Sequence, residues 1–264
     1  MTLGVMKSGY EVGVHMVREL SEMCIRDGEV ILIIDYCNAF NACNRSTLIK
    51  LVDNHLPEVA SFAYWLYSEE ALLVLSNGQS ILSSEGGQRC CGLTNLLLAL
   101  PMEYVMWEIS SKEVSRIVSY WDDVLMKVTP FGVLETLRKV KGEENTTGLT
   151  IKPPKCHHYA RDETIANQSR EISSNKFSEV TVHSNMDINW LNTPVGSDEW
   201  VWSQLEEVLV ELESTNKKIT EMPYKMEAFT LSRNCITQCR IMHFMRIVPP
   251  RLLEKFLQSL DKIL

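Results

Sequence analysis

The sequence predicts an α+β fold, with strands and helices mixed in the front of the chain and helices alone at the back. Three observations carry this. Residues 29–35, Glu-Val-Ile-Leu-Ile-Ile-Asp, are a short β-branched run closing on a carboxylate, which marks a buried strand with an acid at its C-terminal end. Residues 116–128 set two apolar arms about Asp122-Asp123, the pattern of a β-hairpin with two acids at its tip. From residue 198 onward apolar residues recur at helical spacing, as in Val201, Leu205, Val208 and Leu212.

The remaining elements follow in order. Residues 10–26 read as a helix with Val14, Val17 and Ile25 among its apolar positions. Residues 46–56 place Leu48, Leu51, Val52 and Leu56 on one helical face. Gly86-Gly87 marks a loop before a second helix whose face carries Leu93, Leu96, Leu97 and Leu100. Residues 132–141 have helical character, and the polar stretch 161–180 is expected to be a loop or mobile connection. Residues 224–247 and 250–264 are expected to be helices separated by Pro249-Pro250. The change from mixed to all-helical patterning sets an expected boundary near residue 197, dividing the chain into 1–197 and 198–264.

Composition bounds the possibilities. The chain has 264 residues, 45% hydrophobic and 23% charged, enough to bury a sizeable core. Its net charge of -8 and pI near 5.4 count against a broad nucleic-acid footprint, so any basic surface must be local. Eight scattered cysteines without a CxxC pair read as reduced thiols, and no second half-site stands at zinc-finger spacing. No apolar run approaches the ~20 residues that span a bilayer, and the N-terminus lacks a signal peptide's pattern. The expectation is a soluble intracellular protein that does not engage membrane.

The candidate chemistry lies in three carboxylates. Asp35 ends a strand, and Asp122 with Asp123 caps a hairpin; in one sheet these positions can meet. Converging acids repel one another, and a divalent cation such as Mg²⁺ is the usual remedy. Two such ions can activate an attacking hydroxyl and stabilise a leaving pyrophosphate. Taken singly, Asp35 reads more readily as a strand-ending turn residue and Asp122-Asp123 as a solvated turn.

The neighbouring segments add to this. Residues 33–41, Ile-Ile-Asp-Tyr-Cys-Asn-Ala-Phe-Asn, resemble motif A of reverse transcriptases of the non-LTR retrotransposon type. Residues 84–100 resemble motif B, and Tyr-Trp-Asp-Asp at 120–123 resembles the motif C box. Gly-Leu-Thr-Ile-Lys-Pro-Pro-Lys-Cys at 148–156 is similar to motif D. Trp-Leu-Asn-Thr-Pro-Val-Gly at 190–196 looks like the segment after the palm, and Cys239 to Pro250 like the start of the thumb. Residues 3–18 look like the helix ahead of motif A.

The resemblance implies a polymerase palm, a small antiparallel sheet backed by helices, over 1–197, with a partial helical thumb over 198–264. The implied activity is RNA-directed DNA polymerisation with two Mg²⁺ ions, Mn²⁺ being able to substitute, on an RNA template, a DNA primer and deoxynucleoside triphosphates. Asp35, Asp122 and Asp123 match the metal-binding acids, and Lys155 matches the motif D lysine, a proton donor to pyrophosphate. Tyr36, Ala39, Phe40, Gln88 and Arg89 match nucleotide-facing positions, with Phe40 at the steric gate against a ribose 2′-hydroxyl.

Several positions depart from the family pattern. Arg89-Cys90 stands where motif B usually has Gln-Gly, Trp121 fills a place usually held by smaller residues, and Lys152 replaces an asparagine. No match to the basic fingers strands precedes motif A. These departures imply a truncated or degraded copy. The competing readings are therefore an inactive retrotransposon-derived fragment that at most binds nucleic acid, an RNA-dependent RNA polymerase palm, and, more distantly, a metal-dependent nuclease.

Overall fold

A computed structural model describes residues 3–88, 93–110, 112–173, 177–234 and 241–263. The chain forms two compact units, Met1–Asn185 and Met186–Leu264, and the architecture is α+β.

The first unit is built on a five-stranded sheet of order β4-β5-β1-β6-β7. β1 (Val30–Ile34) is central, and all five of its residues are buried, as its unbroken aliphatic run requires. It pairs antiparallel with β5 (Asp123–Val128), from Val30 opposite Val128 to Ile34 opposite Val124. It also pairs antiparallel with β6 (His157–Tyr159), and β6 pairs parallel with β7 (Thr181–His183). β4 (Val114–Tyr120) completes the hairpin with β5 and carries a bulge between Val114 and Arg116.

The two faces of β1 follow the alternation of its side chains. Val30, Leu32 and Ile34 join a core with helices α3 (Arg45–His55), α4 (Pro57–Tyr67), α5 (Thr94–Ile109), α6 (Gly132–Gly142) and α8 (Glu163–Ser173). Helix α1 (Gly9–Asp27) packs on β1, β4 and β5, with Val14, Val17, Leu20 and Cys24 buried. Helix α5 is buried around most of its circumference, beyond the single leucine face expected from spacing, and accommodates Pro101 within its length. Two short helices, α2 (Ala39–Ala42) and α7 (Glu144–Thr147), follow β1 and α6.

The structure differs from expectation over 161–180. Helix α8 occupies much of that stretch: the Asp162 carboxylate accepts the Ile165 amide at 3.0 Å as a cap, and Ile165 and Ala166 are buried. Glu163, Thr164, Asn167, Gln168, Arg170 and Glu171 face solvent, which is why composition alone suggests a loop. A two-stranded hairpin, β2 (Ala71–Val74) and β3 (Ser80–Ser83), stands between α4 and α5.

The second unit opens with a hairpin, β8 (Ile188–Trp190) and β9 (Thr193–Val195), turning through Leu191 and Asn192, both at positive φ. This hairpin packs on α9 (Asp198–Thr220), so the compact units divide at Asn185/Met186 and not at the expected 197. Ser197 caps α9 by accepting the Trp200 amide. Helices α10 (Lys225–Leu231), α11 (Met242–Ile247) and α12 (Pro250–Asp261) follow. Helix α12 is held on α9 by Arg251 against Asp198 and by Lys255 Nζ 3.5 Å above the Trp202 ring. Among the described residues, no helix is long and apolar enough to cross a membrane.

Candidate active site

The β1–β5 pairing gathers the predicted acids at one corner of the sheet. Ile34 lies opposite Val124, so Asp35 and Asp123 sit just beyond that pair on neighbouring strands. The β4–β5 turn is only Trp121 and Asp122, with Tyr120 opposite Asp123. A turn this tight requires unusual dihedrals, and Trp121 adopts φ 54°, a conformation that costs a bulky residue about 1 kcal/mol or more.

A second segment closes the corner. Tyr36 makes an antiparallel bridge with Ile151, and the Cys37 amide donates to Thr150 O at 2.7 Å. The Lys152 amide donates to Asp35 O at 2.9 Å. Residues 148–156 thus run alongside 35–37 and bring Lys155 Nζ to 3.9 Å from Asp35 Oδ2. Gly148, at φ 76°, makes this approach feasible, because a Cβ there would fall 2.2 Å from Ala42 O.

The electrostatics record the crowding. Burial pushes the Asp123 carboxyl up to about 6, and the charges of Asp122 and Asp35 push the same way, with Lys155 only partly opposing them. Beside the corner, burial also pushes the Cys156 thiol up to about 11, and it lowers His157, against which Asp35 acts in the raising direction.

The other predicted residues are placed as follows. Tyr36 is buried in the core, and its backbone bridges Ile151. Ala39 is buried and Phe40 half-buried, and both line a small hollow with Trp121, Asp122, Leu98 and Met102. That hollow encloses about 10 Å³. The Gln88 side chain is exposed, while its amide donates to Tyr67 Oη at 3.3 Å and its carbonyl accepts from Thr94 Oγ1 at 2.6 Å. Arg89 and Cys90 lie outside the described residues. The glycine turn docks on the α2 segment by backbone, Gly87 N to Phe40 O at 2.7 Å and Gly86 N to Cys43 O at 2.8 Å.

Sequence reasoning missed Arg45. Its buried guanidinium donates to Gly86 O at 2.9 Å, to Ser83 O at 2.6 Å and to Ser83 Oγ at 2.9 Å, fastening the glycine turn to the base of the β2–β3 hairpin. Nothing in local spacing signals this, because the partners lie about 40 residues away.

Among the described residues, no three His, Cys, Asp or Glu side chains stand as a ready metal cluster. The candidate donors at the corner are all carboxylate oxygens, the donor type a hard divalent ion takes, and Asp123 is raised first by burial and then by the charges of Asp122 and Asp35.

No family model matches the chain, and no curated protein matches it. Among solved structures, it is similar to telomerase from Candida albicans in complex with a TWJ fragment of telomeric RNA, at a TM-score of 0.46 and 12% identity over 97% of this chain. It is also similar to apo telomerase from Candida tropicalis, at a TM-score of 0.43 and 12% identity over 95% of this chain. The chain spans about half the length of each, 51% and 50%.

Proposed function

We propose that the acid corner is the nucleotidyl-transfer site of a reverse transcriptase domain of the non-LTR retrotransposon type, acting on an RNA template, a DNA primer and deoxynucleoside triphosphates. The observation that carries this reading is the placement of Asp35 and Asp123 just beyond the last residue pair of two adjacent strands, with Asp122 in the turn beside them, within the motif-like segments that resemble that family. Asp35, Asp122 and Asp123 would hold Mg²⁺, which supplies activation of the primer hydroxyl and charge neutralisation at the phosphates. Lys155, beside Asp35, is the chain's own candidate for protonating departing pyrophosphate. Phe40, facing the hollow beneath Asp122, is the candidate wall against a 2′-hydroxyl. Tyr36, Ala39, Gln88 and Arg89 are the nucleotide-facing candidates by the same resemblance.

A specific observation favours the second reading, a catalytically silent domain that at most binds nucleic acid. Trp121 occupies the turn in a strained conformation and crowds the hollow, and about 10 Å³ is far below the roughly 300 Å³ of an ordinary ligand pocket. Its ring also abuts Gly4, where a Cβ would meet it at 2.5 Å. Primer extension on an RNA template with Mg²⁺ separates the two. The first reading expects slow extension that rises in Trp121→Gly and disappears in Trp121→Gly/Asp122→Asn. No extension by either the unmodified chain or Trp121→Gly, with RNA still retained, establishes the second.

A further inference from the structure

We infer that the β2–β3 hairpin is a docking surface for an apolar β-strand of another polypeptide that carries basic residues at one end. An isolated two-stranded ribbon is marginally stable in water and normally buries one face or gains further strands. This ribbon does neither among the described residues. Leu72 (62% exposed) and Leu82 (63%) share one face, and Leu73 (45%) and Ile81 (51%) the other. Val74 beside them is 72% exposed. Helix α4, which leads into the ribbon, presents Phe62, Tyr64 and Trp65 to solvent as well. Contiguous exposed aliphatic and aromatic residues on this scale mark an interaction site.

The ribbon is rigidly based, which suits recognition. Arg45 binds Ser83 at its foot, and its guanidinium lies 5.4 Å from the centre of the Tyr67 ring. At its far end, Leu75 O accepts from Gly78 and the Leu75 amide donates to Gln79 O at 2.8 Å. Each strand has one paired edge, leaving an outer edge on which a third strand could form backbone hydrogen bonds. Leu73, Ile81 and Leu82 also wall an open groove of about 710 Å³ that reaches Gln88.

Charge selects the occupant. Between Lys50 and Arg89 there is no lysine or arginine, while Asp53, Glu58, Glu69, Glu70 and Glu85 contribute five carboxylates. Glu69 and Glu70 directly precede β2 and Glu85 follows β3, so three exposed acids stand at one end of the ribbon. Among the described residues there, the cation is Arg45, which is buried and spends its donors on main-chain carbonyls and Ser83 Oγ. Two copies pairing base to base would set acid against acid. A strand with lysines or arginines at one end complements the surface.

The test uses the full chain and two fluorescent nine-residue peptides of alternating valine and threonine, one ending in two lysines and the other in two glutamates. The inference expects the lysine peptide to bind at least tenfold more tightly by anisotropy. Leu82→Asp, at an exposed site, should abolish binding with the circular dichroism spectrum unchanged. Glu69→Lys/Glu70→Lys/Glu85→Lys should reverse the preference. Equal affinity for the two peptides, or binding that survives Leu82→Asp, overturns it. So does a dimer of the free chain in sedimentation that Leu82→Asp dissolves, which would make a second copy the occupant.

Discussion

The two ends of the β1–β5 strand pair treat carboxylates in opposite ways. At the entry end, Asp27 and Glu29 flank Lys127, whose buried ammonium forms ion pairs with both. Burial works against the Lys127 charge, but Glu29 and Asp27 outweigh it and its pKa stands above the ordinary lysine value. At the exit end, Asp35 and Asp123 lie beyond the last strand pair with Asp122 in the turn, and among the described residues the ion pair there is Lys155, more than half exposed and 3.9 Å from one Asp35 carboxylate oxygen. There Asp123 is driven up to about 6. The same pair of strands therefore shows how this fold neutralises acids it needs only for structure. The absence of that treatment at the exit end marks the acids there as kept for something else.

The largest expected effect breaks the compensated end. Lys127→Ala removes the buried cation and its packed stem and leaves Glu29 without its partner, so unfolding free energy should fall by about 3 kcal/mol. Urea denaturation checks this; a loss below about 1 kcal/mol would mean the entry end is no better compensated than the exit.

The uncompensated end should respond with the opposite sign. The unfolded chain holds Asp123 at its ordinary 3.8, and the folded chain at about 6. Between those values the folded state keeps a proton that the unfolded state has lost. Asp123 therefore subtracts stability as pH rises from about 4 to 6, and the full cost persists above that window. Asp123→Asn should raise stability at pH 7 by about 1–2 kcal/mol, after discounting for the solvent that still reaches the carboxylate. It should also flatten the wild-type decline between pH 4 and 6. A destabilised variant would indicate that the carboxylate is locally satisfied.

A smaller effect sharpens the role of Lys155. Lys155→Met withdraws a cation that opposes the rise of Asp123, so a carbon-detected titration should place the Asp123 carboxyl higher than in the unmodified chain. The accompanying change in stability should be no more than about 0.5 kcal/mol, since the ammonium is exposed. An unchanged Asp123 titration would remove Lys155 from the corner.

How much of this was legible in the sequence depended on range. The exit-end acids could be read because a β-branched run and a two-armed hairpin are local patterns, and β1, β4 and β5 appear where those patterns stand. The entry-end compensation could not: Lys127 and Asp27 are 100 residues apart and meet only through strand register. Strands β6 to β9 have three residues each, too short for periodicity to register. The β2–β3 hairpin did carry a local signal, Asn77-Gly78 between apolar runs, which favours a tight turn. Its apolar residues fail to alternate with polar ones, which weakens the strand signal and puts apolar side chains on both faces. Of the site, Asp35, Asp122 and Asp123 are candidates from local pattern and Phe40 from resemblance. The clamp by Arg45 and the strain at Trp121 emerged only from packing.

The most direct measurement of the central claim is paramagnetic broadening by Mn²⁺ in an isotope-labelled sample. The account predicts selective loss of the Asp35, Asp122 and Asp123 amide signals at low Mn²⁺, with Asp27 and Glu29 unaffected, competition by excess Mg²⁺, and no such loss in Asp123→Asn. Equal broadening at the two ends of the strand pair, or none at the exit end, would contradict it.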